Sequence, residues 1–341
     1  MNAVQFREFG GAIEIAQTPR PSAPAGGVVI KVEAAGLCRS DWHAWQGHDR
    51  DIETLPHCPG HEFAGTVAEL GDDVSGWAIG DRVTAPFVCG CGSCAQCESG
   101  NSQVCPNQYQ PGFTGPGAFA EFVSLPFANT NLVRLPAAVA FEEAAALGCR
   151  FATAFRALAH QDQANVRRGE RLAVFGCGGV GLSAVMIGAA LGAEVIAIDI
   201  REDALARALE LGAERAVHFR DAAEVTAEVS VDALGSAETC AASMNALTPR
   251  GRHVQIGLLV GGDAQVSLPI GRMIAEELQL IGSHGMSATR YPEMLRMVGE
   301  GKLCPAALIG RRIGLAELPE AMAEMSDFGG TVGTTVITKF T

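Results

Sequence analysis

The stretch "AVFGCGGVGLSAVMIGAALGAEVIAIDI", residues 173–200, decides the fold. A glycine-rich turn with Gly176, Gly178 and Gly181 follows one apolar run, and a second apolar run ends at Asp199. Glycines at this spacing let the chain turn tightly from a strand into a helix whose N-terminus approaches a pyrophosphate, while the acid accepts hydrogen bonds from a ribose diol. The stretch therefore predicts a dinucleotide-binding unit.

The acid at the end of the second run also predicts which dinucleotide binds. The carboxylate of Asp199 would repel a 2′-phosphate, so we expect NAD rather than NADP. Arg201 would attract such a phosphate, but we expect the acid to dominate. The predicted cofactor-binding residues of this stretch are Gly176, Gly178, Gly179, Val180, Gly181, Asp199 and Arg201.

Outward from this stretch, the chain divides into three parts. Apolar strands alternate with alanine-rich helical segments over residues 151–285, which predicts a doubly wound parallel sheet. Short β-prone runs separated by Gly and Pro over residues 1–150 predict a compact β-barrel-like domain. Two helices and a last strand over residues 286–341 are expected to return to that first domain. The predicted class is α/β, with two domains.

Composition restricts the kinds of partner. The chain has 341 residues, of which 48% are hydrophobic, and a formal net charge of −13. This acidity argues against nucleic acid or an anionic membrane as the main partner, because both attract clustered Lys and Arg. The first residues lack the apolar run of a secretory signal, and no apolar run reaches the roughly 18 residues of a membrane span. We therefore expect a cytoplasmic protein.

A cysteine cluster predicts a closed metal site. Cys91, Cys94, Cys97 and Cys105 lie within a lobe at about residues 89–106, and four thiolates complete a tetrahedral zinc site of structural type. The alternatives are a set of free thiols or a zinc-ribbon module for nucleic acid. The acidic charge and the absence of basic runs around the lobe argue against the second.

A second candidate metal set is dispersed along the chain. Cys38, His61 and Cys149 would give two thiolates and one imidazole, and three ligands with one open position are typical of a catalytic zinc. Spacing alone leaves other interpretations open. Cys149 also suits a small buried apolar residue, and His61 also suits a hydrogen-bonded histidine of the core.

Five motifs together resemble the zinc-dependent medium-chain alcohol dehydrogenases over essentially the whole chain. They are "GLCRSDWH" (36–43), "PGHEFAG" (59–65), "CGSCAQCESGNSQVC" (91–105), "GCRFATAF" (148–155) and "GCGGVG" (176–181) with Asp199. The resemblance implies a GroES-like catalytic domain, a Rossmann domain of strand order 3-2-1-4-5-6 and a cleft between them. It also implies two zinc ions and an NAD(P)-linked interconversion of alcohols and carbonyl compounds. Because Asp199 favours NAD, we expect hydride transfer between a primary or secondary alcohol and NAD, giving an aldehyde or ketone.

The resemblance implies a role for each polar residue of "GLCRSDWH". Cys38 would hold the catalytic zinc together with His61 and Cys149. Ser40 would take the proton of the reacting alcohol, and His43 would pass that proton to water through the cofactor ribose. Asp41 would orient the imidazole of His61, as carboxylates beside metal-ligating histidines commonly do.

Further residues follow from the same resemblance. Arg39 would contact the cofactor phosphate, and Glu62 would be a carboxylate near the metal that transiently exchanges with its water. Phe87, Trp42 and His284 are candidate pocket residues, although Trp42 also suits plain packing and His284 also suits a domain junction.

One departure concerns the C-terminal strand. Many relatives carry an arginine there that helps to hold pyrophosphate, whereas this chain has Thr334 and Thr335 within "GGTVGTTVITKF". This puts the affinity for the cofactor in doubt.

Other functions remain as alternatives. A polyol or sugar dehydrogenase is the main one, although many of these place Glu at the third zinc position, where this chain has Cys149. A zinc-free quinone or enoyl reductase would lack the ligands, and a non-catalytic role does not fit a complete set of catalytic residues. By analogy we expect a homo-oligomer, a tetramer rather than a dimer, with a small-molecule substrate.

Overall fold

The computed structural model describes residues 1–260, 265–326 and 332–341. The chain forms two compact units. The first unit comprises residues 1–152, 285–301 and 309–341, and the second unit comprises residues 153–284 and 302–308. Gly329, Gly330 and Thr331, at the start of the C-terminal stretch "GGTVGTTVITKF", lie outside the described residues, whereas Thr334 and Thr335 begin the last strand.

Short strands dominate the N-terminal part of the chain, as the Gly- and Pro-punctuated β-prone runs predict. In chain order the strands are β1 (Asn2–Phe6), β2 (Ile13–Gln17), β3 (Val28–Leu37), β4 (Glu62–Leu70), β5 (Arg82–Thr84), β6 (Phe122–Leu125), β7 (Val133–Arg134), β8 (Arg171–Phe175), β9 (Glu194–Asp199), β10 (Arg215–His218), β11 (Ala227–Asp232), β12 (Leu247–Gln255), β13 (Gln279–Gly282), β14 (Ile309–Gly314) and β15 (Thr334–Lys339).

The helices are short, and the longest described one has 13 residues. They are α1 (Arg39–Trp45), α2 (Ala95–Glu98), α3 (Ala128–Asn131), α4 (Phe141–Ala145), α5 (Ala152–Ala159), α6 (Gly179–Leu191), α7 (Glu202–Glu210), α8 (Ala237–Asn245), α9 (Ile270–Glu276), α10 (Tyr291–Gly299) and α11 (Leu318–Glu324). A π-helix, Leu147–Phe151, lies between α4 and α5. Over the described ranges, no helix is both long and apolar enough to cross a membrane.

In the first unit, β3 is the central strand. It pairs antiparallel with β4, β6 and β15, within a sheet of order β14-β15-β3-β4-β5-β7. Its sequence, "VVIKVEAAGL", is almost continuously buried, as expected for a strand covered on both faces. Fully buried Phe6, Phe63 and Phe119 fill the adjoining core. This sheet agrees with the β-rich, barrel-like first part that the sequence predicts.

The second unit contains a six-stranded parallel sheet of order β10-β9-β8-β11-β12-β13. Counted from β8, this is the order 3-2-1-4-5-6, so the predicted doubly wound Rossmann sheet is confirmed. The central strand β8, "RLAVF", and its neighbour β9 are buried on both faces, because helices cover a parallel sheet from both sides.

The predicted return segment, residues 286–341, differs from the structure at one place. Residues 302–308 belong to the second unit, where the 3₁₀ turn Pro305–Leu308 packs against α6. The guanidinium of Arg207 donates a hydrogen bond to the carbonyl of Ala307. Sequence reasoning treated the C-terminal part as one piece because this short apolar turn has no periodic pattern of its own.

Candidate active site and metal centres

Three predicted ligands meet in the first unit. The sulfur atoms of Cys38 and Cys149 and a ring nitrogen of His61 lie within 4.8 Å of one another. Cys38 follows β3 and caps α1, and His61 immediately precedes β4. Gly36 of β3 pairs with Glu62 of β4, and this register brings the two ligands side by side. Cys38 and His61 are buried and Cys149 is only partly buried, so the set has one accessible side.

The imidazole of His61 is oriented by a fully buried carboxylate. Its Nδ1 donates to Asp41 Oδ1 at 2.8 Å, and Asp41 also accepts hydrogen bonds from the backbone nitrogens of Cys38 at 2.9 Å and of Gly60 at 3.1 Å. With the proton on Nδ1, the lone pair of Nε2 is free to bind a metal. Nε2 is buried and has no hydrogen-bond partner among the described residues. Such an orphaned nitrogen beside two thiols fits a zinc site.

Neighbouring groups shift the pKa values of two of these ligands in opposite directions. A hydrogen bond from Cys149 lowers the pKa of the Cys38 thiol well below its usual range against the effect of burial, and the charge of Arg150 adds to the lowering. Burial alone would lower the pKa of His61, but the Asp41 carboxylate raises it well above its ordinary value. The site thus favours a thiolate at Cys38, which is the form that binds metal.

Glu62 has both carboxylate oxygens occupied. Its Oε1 accepts hydrogen bonds from the backbone nitrogens of Cys149 at 2.8 Å and of Arg150 at 3.1 Å, and from Arg150 Nε at 3.3 Å. Its Oε2 accepts from Arg150 Nη2. Sequence reasoning did not single out Arg150, which holds this carboxylate. The predicted exchange of Glu62 with a water on the metal stays a prediction.

The predicted proton-transfer residues lie on α1. Ser40 Oγ is 3.8 Å from Cys38 Sγ. Nδ1 of His43 is 2.9 Å from Nδ1 of His48, an exposed histidine on the turn after α1. Sequence reasoning missed His48, although a second histidine five positions after the first was a visible signal. Burial, followed by the charges of His48 and Arg39, lowers the pKa of His43.

The pocket candidates have different surroundings. The ring centroid of Phe87 lies 5.9 Å from that of His61, and Phe113, which sequence reasoning missed, lies 5.1 Å from it. Trp42 packs partly against the core, and its Nε1 donates to Ser326 Oγ at 3.0 Å. His284 is exposed at the end of a stretch assigned to the second unit.

Arg39 donates from Nη1 to the carbonyl of Met325 and lies over the Trp42 ring, 5.1 Å from its centroid. The first contact connects α1 with the end of α11, and the second lies within α1. The predicted phosphate contact of Arg39 stays a prediction.

The four cysteines of the lobe also meet. Their sulfur atoms lie within 4.8 Å of one another. The sulfur of Cys105 accepts hydrogen bonds from the backbone nitrogens of Cys91 at 3.4 Å and Asn107 at 3.3 Å, contacts that stabilise negative charge on sulfur. All four ligands come from one short segment, and four thiolates leave a tetrahedral zinc no open position. These four residues fit a structural zinc.

The glycine-rich turn of the second unit has the conformation that its motif predicts. Gly176 has a φ of +91°, which strongly favours glycine, and a Cβ on Gly181 would lie only 1.7 Å from the Gly176 carbonyl oxygen. Gly178 caps the N-terminus of α6. The strand, turn and helix thus form a close-packed cradle in which exposed backbone can approach a phosphate.

Asp199 ends β9 beside this turn. Its carboxylate accepts hydrogen bonds from the backbone nitrogens of Cys177 at 2.6 Å and Arg201 at 2.9 Å. The guanidinium of Arg201 binds the carboxylate of Asp203 through two hydrogen bonds, at 3.0 and 2.5 Å. Sequence reasoning did not consider Asp203, although it lies two positions after Arg201.

Comparisons with known proteins agree with this geometry. The family model "Alcohol dehydrogenase GroES-like domain" matches residues 24–137, and the model "Zinc-binding dehydrogenase" matches residues 179–300. A NAD-dependent alcohol dehydrogenase of Saccharolobus solfataricus is 32% identical over 351 aligned positions, covering 96% of this chain and 97% of the relative. The chain belongs to the zinc-dependent medium-chain alcohol dehydrogenase family.

Two further relatives show how far this family likeness extends. An alcohol dehydrogenase of Rhizobium meliloti (strain 1021) is 34% identical over 313 residues, covering 89% of each chain. The cobalt- and zinc-bound thermostable alcohol dehydrogenase from Pyrobaculum aerophilum has a solved structure that matches with a TM-score of 0.89 and 30% identity, over 99% of both chains. The family likeness therefore covers both units.

Proposed function

We propose that this family member is a zinc-dependent, NAD-linked alcohol dehydrogenase that transfers a hydride between a primary or secondary alcohol and NAD, giving an aldehyde or ketone. The observation that carries the proposal is the buried, unpartnered Nε2 of His61 beside the thiols of Cys38 and Cys149, in a chain that also has a dinucleotide turn. A catalytic zinc keeps one position open for substrate, and three ligands suit that requirement.

Each residue of the site has a defined task in this reaction. Zinc held by Cys38, His61 and Cys149 would supply a Lewis acid that lowers the pKa of an alcohol hydroxyl and polarises a carbonyl. Asp41 fixes the ring of His61, so that Nε2 stays directed at the two sulfur atoms. Hydride chemistry belongs to the cofactor, and the protein contributes binding, orientation and proton removal.

Proton removal begins at Ser40. Its hydroxyl lies 3.8 Å from the Cys38 sulfur at the three-ligand site, and it would accept the proton of the reacting alcohol while releasing its own toward the outer member of the relay. His43 is the outer member, as its lowered pKa keeps it neutral and able to accept a proton near pH 7. His48, hydrogen-bonded to His43 and exposed, then delivers the proton to water.

A second zinc in the four-cysteine lobe would serve folding rather than chemistry. The support is the closed set of four thiols, with two backbone N–H groups directed at Cys105. A ligand set without an open position has no place for substrate. Two zinc ions per chain follow, one catalytic and one structural.

NAD is the proposed dinucleotide rather than NADP. Asp199 would oppose a 2′-phosphate, and Arg201, the cation that would favour one, is engaged by Asp203. No disulfide joins any of the eleven cysteines, all of which lie in the described part of the chain, and the reducing cytoplasm is the proposed place of action.

A homo-oligomer is proposed on the basis of exposed apolar side chains in the second unit. Leu258, Ile270, Ile274 and Leu280 are between 42% and 76% exposed, and Leu280 lies on the edge strand β13. Apolar side chains on an edge strand are usually covered in a stable protein. Light scattering of the purified protein gives the number of chains, and a monomer would contradict the proposal.

The test of the proposed function is NADH formation with a panel of primary alcohols, secondary alcohols and polyols. We expect simple alcohols to be oxidised more efficiently than polyols, with catalytic efficiency as the measured quantity. A preference for polyols would instead indicate a polyol or sugar dehydrogenase. The Cys38→Ser variant, which lacks one ligand, is the negative control.

A further inference from the structure

Glu62 and Arg150 form a buried ion pair immediately beside the three metal ligands. Glu62 follows His61 in sequence, Arg150 follows Cys149, and the two residues are 0% and 7% exposed. Four hydrogen bonds from Cys149 and Arg150 reach the carboxylate, two of them from backbone nitrogens. A planar guanidinium that binds both oxygens of a carboxylate fixes its orientation as well as its charge.

Two glycines make room for this carboxylate. A Cβ on Gly36 would lie 2.7 Å from Glu62 Oε2, and a Cβ on Gly148 would lie 3.0 to 3.1 Å from the backbone and side chain of Glu62. The carbonyl of Gly148 accepts a hydrogen bond from the hydroxyl of fully buried Tyr291 at 3.1 Å. Gly36 of β3 and Gly148 of the π-helix therefore fix the orientation of the Glu62 side chain. In another orientation the side chain would leave the space beside these two glycines empty.

A buried carboxylate needs a cation or a full set of hydrogen-bond donors. Asp41 meets that need with three donors around it. Glu62 has two backbone donors and one cation, Arg150. A zinc ion in the adjacent site would be the alternative cation for Glu62, because carboxylates are ordinary zinc ligands.

We propose that Arg150 is a positioning residue that binds Glu62 and keeps it away from the metal, so that the fourth coordination position stays open for substrate. This deepens the proposed function and rests on it. It also departs from the role that the family resemblance suggests for Glu62, since here the carboxylate is held by its own arginine.

Charge balance supports this arrangement. Two thiolates neutralise a divalent zinc, and Glu62 with Arg150 forms a second neutral pair. Without Arg150 the carboxylate would be an uncompensated buried charge, and ligation of the metal is the nearest way to compensate it. Three protein ligands would become four, as in a closed structural site.

The test uses the cobalt-substituted enzyme and imidazole as a probe of the open position. We expect imidazole to change the visible cobalt spectrum of the wild-type protein, and to leave that of Arg150→Met unchanged because Glu62 occupies the position. In the double variant Arg150→Met/Glu62→Gln the response should return. Cobalt in the four-cysteine lobe does not respond, because that set has no open position.

Two results would overturn the proposal. One is an Arg150→Met spectrum that responds to imidazole like the wild type. The other is a changed cobalt spectrum in the single variant Glu62→Gln, since the proposal requires that Glu62 is not a ligand. Glu62→Gln is nearly isosteric with the wild type and keeps an acceptor for the backbone donors. It therefore tests whether Glu62 binds the metal even where Arg150→Met fails to fold.

Catalytic activity is measured separately from the cobalt spectra. We expect the catalytic efficiency of Arg150→Met to fall by about tenfold or more, in the range seen when partners of metal ligands are lost. A wild-type protein that forms no NADH with any alcohol would contradict the proposed function. The imidazole response would still decide the role of Arg150 in that case.

Discussion

The two cysteine-containing sites of the first unit differ in how their ligands are assembled. The lobe takes four ligands from the segment 91–105, and two backbone N–H groups bind one of the sulfur atoms. The three-ligand site takes Cys38, His61 and Cys149 from three separate elements and surrounds them with buried charged groups.

The difference shows what each arrangement is suited for. Four thiolates from one segment need only a short loop. They would fill all four positions around a zinc ion, and the ion would crosslink that loop. Three dispersed ligands depend on the register of β3 and β4 and on the π-helix, and they need Asp41 and Arg150 to control charge. The proposed chemistry would require the dispersed arrangement, because one coordination position must stay open for substrate.

The largest expected effect comes from removing one ligand of each site. Cys38→Ser should abolish alcohol oxidation while leaving the melting temperature nearly unchanged. Cys94→Ser should lower the melting temperature by about 5 °C or more, because structural zinc contributes directly to folding. Enzyme assays and calorimetry of both variants check this. A Cys94→Ser variant that keeps the wild-type melting temperature would remove the distinction between the sites.

Ser40→Ala tests whether chemistry is confined to the three-ligand site. We expect oxidation to slow by about 10²-fold or more, the typical contribution of a positioned proton-transfer group. The rate should be measured with deuterated alcohol, to verify that hydride transfer is rate-limiting. Ser93→Ala is the matched control, because Ser93 Oγ is 3.7 Å from the sulfur of Cys91 in the lobe. Near wild-type rates for Ser40→Ala would contradict the relay.

Asp41→Asn tests the charged surroundings of the three-ligand site. Loss of the carboxylate should weaken zinc binding at that site by about 10- to 100-fold, since the imidazole loses its oriented acceptor. Zinc release to a chelator is the measurement, and release from the lobe should not change. Asp81→Asn, which removes a carboxylate from the surface ion pair with Arg134, serves as control. Equal release from Asp41→Asn and wild type would contradict the orienting role.

The residues proposed to set the cofactor preference lie outside both metal sites. Substituting them should therefore leave zinc binding unaffected. NAD should be preferred over NADP by about tenfold or more, and Asp199→Gly should reduce this preference. The double variant Asp199→Gly/Asp203→Asn should reduce it further, because Arg201 then loses the charge of the Asp203 carboxylate. Catalytic efficiencies with both cofactors check this. A wild-type preference for NADP would be decisive against it.

The smallest expected effect concerns the solvent end of the relay. His48→Gln should slow oxidation only a few-fold, because buffer can replace an outer relay member. A neutral His43 accepts the proton, so activity falls as pH drops through the pKa of His43. Since His48 is one cause of that lowered pKa, its removal should move the acid limb of the pH–rate profile to higher pH. Arg50→Gln, an exposed neighbour, should leave the limb in place.

The nucleotide-binding unit was readily predicted because its signals are local. The spacing of Gly176, Gly178 and Gly181 follows from the turn itself, and the alternation of strands and helices predicts a doubly wound parallel sheet. The strand order within that sheet was expected only from the family resemblance. The four cysteines are equally local. For the dispersed ligands the residues alone left other interpretations open, and the family resemblance was needed to connect them.

What sequence reasoning missed depends on side-chain directions between distant segments. Arg150 stands in an apolar run, which is a signal for a buried partner, but nothing in the sequence shows that the partner is Glu62, 88 positions away. The pairing of His43 with His48 depends on the turn after α1, where the backbone nitrogen of His48 donates to the carbonyl of His43 at 3.0 Å.

The π-helix Leu147–Phe151 makes the proposed catalytic site sensitive to the number of residues in this turn. Each residue of an α-helix turns the chain by about 100°, and a π-helical turn accommodates one residue more than an α-helical one. Deleting one residue from this turn would restore a regular helix and rotate Cys149 and Arg150 away from their partners at the same time. An insertion or deletion in these five residues would therefore displace a candidate ligand and its charged neighbour in a single event.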